Sequence, residues 1–157
     1  MNICIVGTGY VGLVAAGCFA EMGNNVCYID VNPKIIDGLN NGKIPIYEPG
    51  LEPMVIKNHA AGRLTFSTSL LEGMQEALFI FNCVGTPPRP DGSCDLSYVE
   101  NVAKEIGSII TDYKIIINKS TVPVGTADRV HQIIQTKIKK RNLSVEFDVV
   151  SNPEFLK

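Results

Sequence analysis

Apolar residues along this 157-residue chain fall into two alternating patterns. Short apolar runs at 2–6, 26–29, 64–66, 77–81, 114–118 and 147–150 have the length and side-chain type of strands. Between them lie stretches whose apolar residues recur every three or four positions, as on one face of a helix. The clearest is 97–110, where Val99, Val102, Ala103, Ile106 and Ile110 share a stripe. A helix opens after the glycines near residue 12, and another starts near Pro33 and carries Ile35, Ile36 and Leu39 up to the breaker Asn40-Asn41-Gly42. A rigid turn at 45–51 leads to a helix through about His59, and a last helix spans 127–140. Ser67, Thr68 or Ser69 caps a further helix, with Glu72 placed for a capping box. Strands alternating with helices imply βαβ units with right-handed crossovers. The expected fold is α/β, a doubly wound, mostly parallel sheet with helices on both faces. No repeat, low-complexity stretch or linker divides it, so one domain is expected.

The segment with the most chemistry is the first. The run 2–6 leads into Gly7-Thr8-Gly9-Tyr10-Val11-Gly12, and the second run ends on Asp30. Strand, glycine turn, helix, strand and acid make up the dinucleotide-binding fingerprint in its structural context, and the fold it belongs to is Rossmann-like. Gly7 is expected to allow the tight turn out of the strand, Gly9 to let backbone approach a pyrophosphate, and Gly12 to let the helix pack on the sheet. The helix N-terminus then faces the doubly negative group with free N–H donors. Asp30 accepts hydrogen bonds from ribose hydroxyls and repels a 2′-phosphate, which favours NAD over NADP.

Composition narrows the alternatives. Net charge is −2, and the basic cluster Lys137, Lys139, Lys140 and Arg141 ends a helix, where cations favour the dipole. Nucleic acid is therefore not an expected partner. No apolar run is long enough for a membrane span and no charged leader precedes the first strand, so a cytoplasmic protein is expected. Five cysteines without a signal sequence argue against a disulfide framework, and none has the C-x-x-C spacing of a zinc site, so no metal is expected. Cys4, Cys18 and Cys27 read as buried small hydrophobes, and Cys94, in a polar loop, as the accessible one.

Ligands of such sheets bind outside the carboxyl ends of the strands. Three later loops start there: Val84-Gly85-Thr86-Pro87-Pro88, the run from Lys119-Ser120-Thr121 to Thr126, and Asn152-Pro153-Glu154-Phe155-Leu156. Thr86 and Thr121 offer hydroxyls beside prolines, as positioning groups near a nicotinamide. Glu154 offers a carboxylate suited to general-base work.

With these loops the chain resembles the amino-terminal domain of the nucleotide-sugar dehydrogenases, the UDP-glucose/GDP-mannose dehydrogenase family. The matching segments, in order, are GTGYVGLV, DVNP, PIYEPGL, CVGTPPRPDGSCDLSYVE, KSTVPVGT and SNPEFL. They cover essentially the whole chain, and GTPPRPDGSCDLSYVE is most similar to the members acting on UDP-glucose. The resemblance implies oxidation of a sugar C6 alcohol to a carboxylate with two NAD⁺ in succession, through a thioester on a cysteine.

It assigns Gly7, Gly9, Tyr10, Val11 and Gly12 to the pyrophosphate region, and Asp30 to the ribose. The family's basic residue falls where this chain has Ile35, so Lys34, one position earlier, is placed at the adenosine end. Thr86, Ser120 and Thr121 fall to the nicotinamide half, Thr121 also holding a catalytic water. Glu154 serves proton transfer in hydrolysis, and Glu154, Phe155, Leu156 and Lys157 begin the loop that binds the sugar end of UDP-glucose. The family's nucleophilic cysteine, a catalytic lysine and most uridine-binding residues lie in later helical and UDP-sugar-binding domains. None of the five cysteines here matches the nucleophile. The resemblance thus implies a polypeptide that binds NAD⁺ without turnover alone, and an intact enzyme that is a homodimer or larger. A GDP-mannose member and a stand-alone NAD-binding module are the other readings.

Overall fold

The computed structural model describes residues 1–7 and 9–154. Six strands form one sheet in the order β3-β2-β1-β4-β5-β6. They are β1 (Asn2–Val6), β2 (Asn25–Ile29), β3 (Leu64–Ser67), β4 (Phe79–Asn82), β5 (Lys114–Asn118) and β6 (Phe147–Ser151). Every pairing among them is parallel. The helices are α1 (Tyr10–Glu21), α2 (Pro33–Asn40), α3 (Leu51–Ala60), α4 (Leu70–Gln75), α5 (Ser97–Ile109) and α6 (Thr126–Lys140). The chain builds outward from β1 to β3, crosses back, and builds outward again from β4. The point where the direction reverses lies between β1 and β4, and there the loops at the carboxyl ends leave a crevice.

The period of two along each strand divides the core into two layers. Ile3 and Ile5 pack with Leu13, Ala16 and Ala20 of α1 and with Leu51 and Val55 of α3. Cys4 and Val6 point the other way, into Leu70, Val99, Ile106, Val130 and Ile134 of α4, α5 and α6. A strand covered on both faces has no polar side to show, which is why β1 and β4 read as continuous apolar runs.

Some boundaries move. β4 is Phe79–Asn82 and not 77–81, because the Ala77 N–H still closes the end of α4 on Met74 O. Ser69 is the cap of α4, its hydroxyl accepting the Glu72 N–H at 3.3 Å. The reciprocal half of the expected capping box is replaced. Glu72 accepts the Ser67 hydroxyl at 2.5 Å, and Ser67 in turn accepts the Ser69 N–H at 3.0 Å.

Cys18 is exposed rather than buried. On α1 the buried residues are Gly12, Leu13, Ala16, Gly17 and Ala20, and Cys18 falls outside that stripe. Arg141 leaves the expected solvated basic cluster, since its Nη1 donates to Gly107 O and Ile110 O at 3.2 and 2.6 Å. It thereby ties the end of α6 to the end of α5.

Candidate functional site

The site starts at the turn out of β1. Gly7 has φ +141°, and a Cβ there would stand 2.5 Å from the Cys83 carbonyl carbon. Glycine is required because the turn lies directly against the peptide that leaves β4. In the first turn of α1, a Cβ on Gly12 would come within 2.8 Å of Gly7 O, so its absence lets helix and strand close up. Gly9 is constrained differently. Its φ is +129°, yet a Cβ built on it meets no atom within 4 Å. The space before α1 is open. Among the described residues no side chain caps that helix and no acidic residue stands in its first turn, which Tyr10 and Val11 begin. Its N–H donors and the positive end of its dipole face that space, an arrangement that fits a pyrophosphate. Thr8 lies outside the described residues.

From Gly7 a cleft of about 520 Å³ runs past Asp30 to α5. Asp30 forms part of its floor and is only 1% exposed. Its Oδ1 accepts the Asn32 N–H at 2.8 Å, and its Oδ2 faces the Tyr28 hydroxyl at 3.5 Å. Burial raises its pKa above the usual carboxylate value, while those two donors act in the opposite sense. Each carboxylate oxygen keeps a lone pair beyond these contacts, enough for the two hydroxyls of one ribose.

Lys34 does not join this group. Its N–H donates to the capping Asn32 side chain at 3.0 Å, and the cleft is lined without it. The opposite wall carries Tyr98, Asn101 and Glu105 of α5, which sequence reasoning missed. Their three- and four-residue spacing marks a second face beside the core stripe of that helix, and this was the available signal. A separate groove of about 470 Å³ between β3 and α4 shares no residue with the cleft.

The three strand-end loops meet beside the turn and are joined hydroxyl to carbonyl. Ser120 Oγ donates to Val84 O at 2.6 Å, Thr86 Oγ1 to Thr121 O at 2.9 Å, and Thr121 Oγ1 to Glu154 O at 3.2 Å. Both threonine protons are thereby used, and what the hydroxyls still offer a ligand is acceptor lone pairs. Ser120 is 8% exposed, so its hydroxyl serves the loops.

Glu154 Oε2 lies 3.3 Å from Lys119 Nζ, a pair in which each side chain is about three-quarters buried at 21% and 24% exposure. Tyr10 stands on the same edge, its phenol pKa raised first by the Glu48 carboxylate and more weakly by Glu154. The expectations for Phe155, Leu156 and Lys157 lie outside the described residues.

The thiols are divided by burial. Cys83 is buried behind the turn and its pKa is pushed up to about 12, chiefly by desolvation. Burial also raises Cys4 and Cys27. Cys94 is half-buried rather than the accessible thiol, with Sγ 3.6 Å from Thr86 O and 3.8 Å from Thr121 O. Among the described residues no cluster of His, Cys, Asp and Glu is placed to hold a metal ion. No helix among them is long and apolar enough to cross a membrane.

Residues 1–157 match the NAD binding domain of the UDP-glucose/GDP-mannose dehydrogenase family. A UDP-glucose 6-dehydrogenase of Pseudomonas aeruginosa is 49% identical over all of this chain and 35% of its own length. Among solved structures, a UDP-glucose dehydrogenase from Pyrobaculum islandicum superposes with a TM-score of 0.88 at 41% identity, covering 99% of this chain and 36% of that one. A GDP-mannose dehydrogenase from Pseudomonas aeruginosa superposes with a TM-score of 0.90 at 39% identity, over 100% of this chain and 37% of that one. The chain spans about a third of the length of these relatives.

Proposed function

Because the chain belongs to the UDP-glucose/GDP-mannose dehydrogenase family and carries its NAD-binding domain, we propose that it serves the oxidation of UDP-glucose to UDP-glucuronate. The higher identity to the UDP-glucose enzyme of Pseudomonas aeruginosa than to the GDP-mannose enzyme of that species supports this choice of sugar nucleotide. When bound, NAD⁺ supplies the hydride acceptor, once for the alcohol and once for the aldehyde level.

The chain's own residues hold the ends of that acceptor. The uncapped start of α1 takes the pyrophosphate and Asp30 takes the adenosine ribose. Thr86, through its free lone pairs, accepts from the nicotinamide carboxamide, while Ser120 keeps the loop beneath it in place. Thr121 Oγ1 accepts a hydrogen bond from the hydrolytic water, which leaves a water lone pair directed at the carbonyl under attack. The Glu154 carboxylate receives the proton released, and Lys119 holds that carboxylate at the edge of the sheet. Glu154 and the three residues after it contact the sugar. The single observation carrying this reading is that the hydroxyl-to-carbonyl series brings Thr86, Thr121 and Glu154 together at the carboxyl edge, beside the glycine turn. Cys4, Cys27 and Cys83, whose pKa burial raises, are poor nucleophiles, and none of the five cysteines falls at the family's nucleophile position, so this reading assigns the thiolate chemistry to another part of the enzyme.

The test is a calorimetric titration of this chain with NAD⁺, then addition of UDP-glucose while NADH absorbance is followed. Binding without turnover is expected. Failure to bind would remove the cofactor reading, and steady growth of NADH would remove the assignment of the nucleophile to another part of the enzyme. Comparing UDP-glucose with GDP-mannose in the full-length protein decides the substrate.

A further inference from the structure

Tyr28 belongs to β2 and is 1% exposed, yet it carries a hydroxyl into the interior. That hydroxyl ends 3.5 Å from Asp30 Oδ2. The ring packs edge-on against Phe66, with centroids 6.2 Å apart, and passes 3.4 Å from where a Cβ of Gly12 would stand. Gly12 in turn rests on the carbonyl of Gly7. One side chain therefore lies under the ribose acid and under the glycine turn at once. Burial first, and then the Asp30 carboxylate, raise the phenol well above its ordinary pKa, so it stays a neutral donor.

We propose that Tyr28 is a positioning residue of the cofactor site, its hydroxyl aiming the Asp30 carboxylate at the ribose while its ring backs Gly12 of the pyrophosphate turn. Its proton goes to Oδ2. Without the hydroxyl, a carboxylate that is almost wholly buried loses one of its two protein donors and turns away from the ribose. The proposal rests on Asp30 being the ribose acid.

The test is a double-mutant cycle read by NAD⁺ titration of this chain, using Tyr28→Phe, Asp30→Ala and the double variant. Tyr28→Phe keeps the ring that packs on Phe66 and Gly12. Alone it is expected to weaken NAD⁺ about tenfold, the scale of a hydrogen bond to a charged group. In the Asp30→Ala background it is expected to change affinity less than about twofold, because its target is gone. A merely structural role would cost the same in both backgrounds, and that additivity would overturn the proposal. Unchanged affinity in Tyr28→Phe beside a clear loss in Asp30→Ala would also overturn it. Unchanged affinity in Asp30→Ala would instead remove Asp30 as the ribose acid. Should Tyr28→Phe not fold, wild-type protein labelled at tyrosine Cζ provides the readout. The Tyr28 resonance is expected to shift on adding NAD⁺ or AMP, and no shift with either would overturn the proposal.

Discussion

The Thr86 hydroxyl donates to the Thr121 carbonyl at 2.9 Å, joining loops 35 residues apart in sequence. The bond is solvent-exposed, so it stabilises the fold by no more than about 1 kcal/mol. Its larger effect is on the geometry of the two loops. Thr86→Val, which keeps the shape and removes the donor, is expected to lower the melting temperature by only a few degrees and to weaken NAD⁺ severalfold. Thr86→Ser should restore most of the affinity. Calorimetry and thermal denaturation on the same samples separate the two effects.

Gly7 and Gly9 share an unusual φ but should fail differently when a methyl group is added. Gly7→Ala drives a Cβ into the Cys83 peptide as well as straining the backbone. A loss of about 3 kcal/mol or more is expected in urea denaturation. Gly9→Ala carries only the backbone strain, about 1–2 kcal/mol, because nothing stands within 4 Å of the new atom. That variant should stay folded and still lose NAD⁺, since the methyl group occupies the space in front of α1.

Asp30 has a pKa raised above its unfolded value of 3.8. A carboxyl group with a raised folded pKa binds more protons folded than unfolded, so its contribution to stability falls as pH climbs through that window. Below pH 3.8 both states are protonated and the penalty is absent. Asp30→Asn should therefore melt higher than wild type near pH 7, with the gap closing as pH approaches 3.8. The same variant should bind NAD⁺ poorly. A melting series across pH, with and without NAD⁺, checks both halves. If Asp30→Asn were less stable than wild type at neutral pH, the burial argument would fail.

The cysteines should react in an order set by exposure. Cys18, exposed on α1, should be modified first by a thiol reagent. Cys94 should follow slowly, and Cys4 and Cys83, buried and with raised pKa values, only on unfolding. Peptide mapping after timed alkylation reads the sequence of events.

Much of this was legible beforehand. β1 and β5 were placed to the residue, because strands buried on both faces leave unbroken apolar runs. The glycine turn was legible too, since the spacing of its glycines carries a steric requirement. What could not be read depends on chain segments meeting across many residues. Which carbonyl each threonine hydroxyl would find is one case, and the cleft-facing side of α5 is another. The Cys18 error has a different source. α1 is apolar almost all round, so hydrophobicity alone did not say which side met the sheet.

Gly7 presses on the peptide between Cys83 and Val84, and the Cys83 N–H donates to Val6 O at 2.7 Å. The glycine turn and the root of the loop after β4 are consequently one stiff joint with no slack between them. On the function proposed above, a cofactor pulled at one end would load the other, and adjustments to substrate would fall to the outer parts of the loops, beyond Val84.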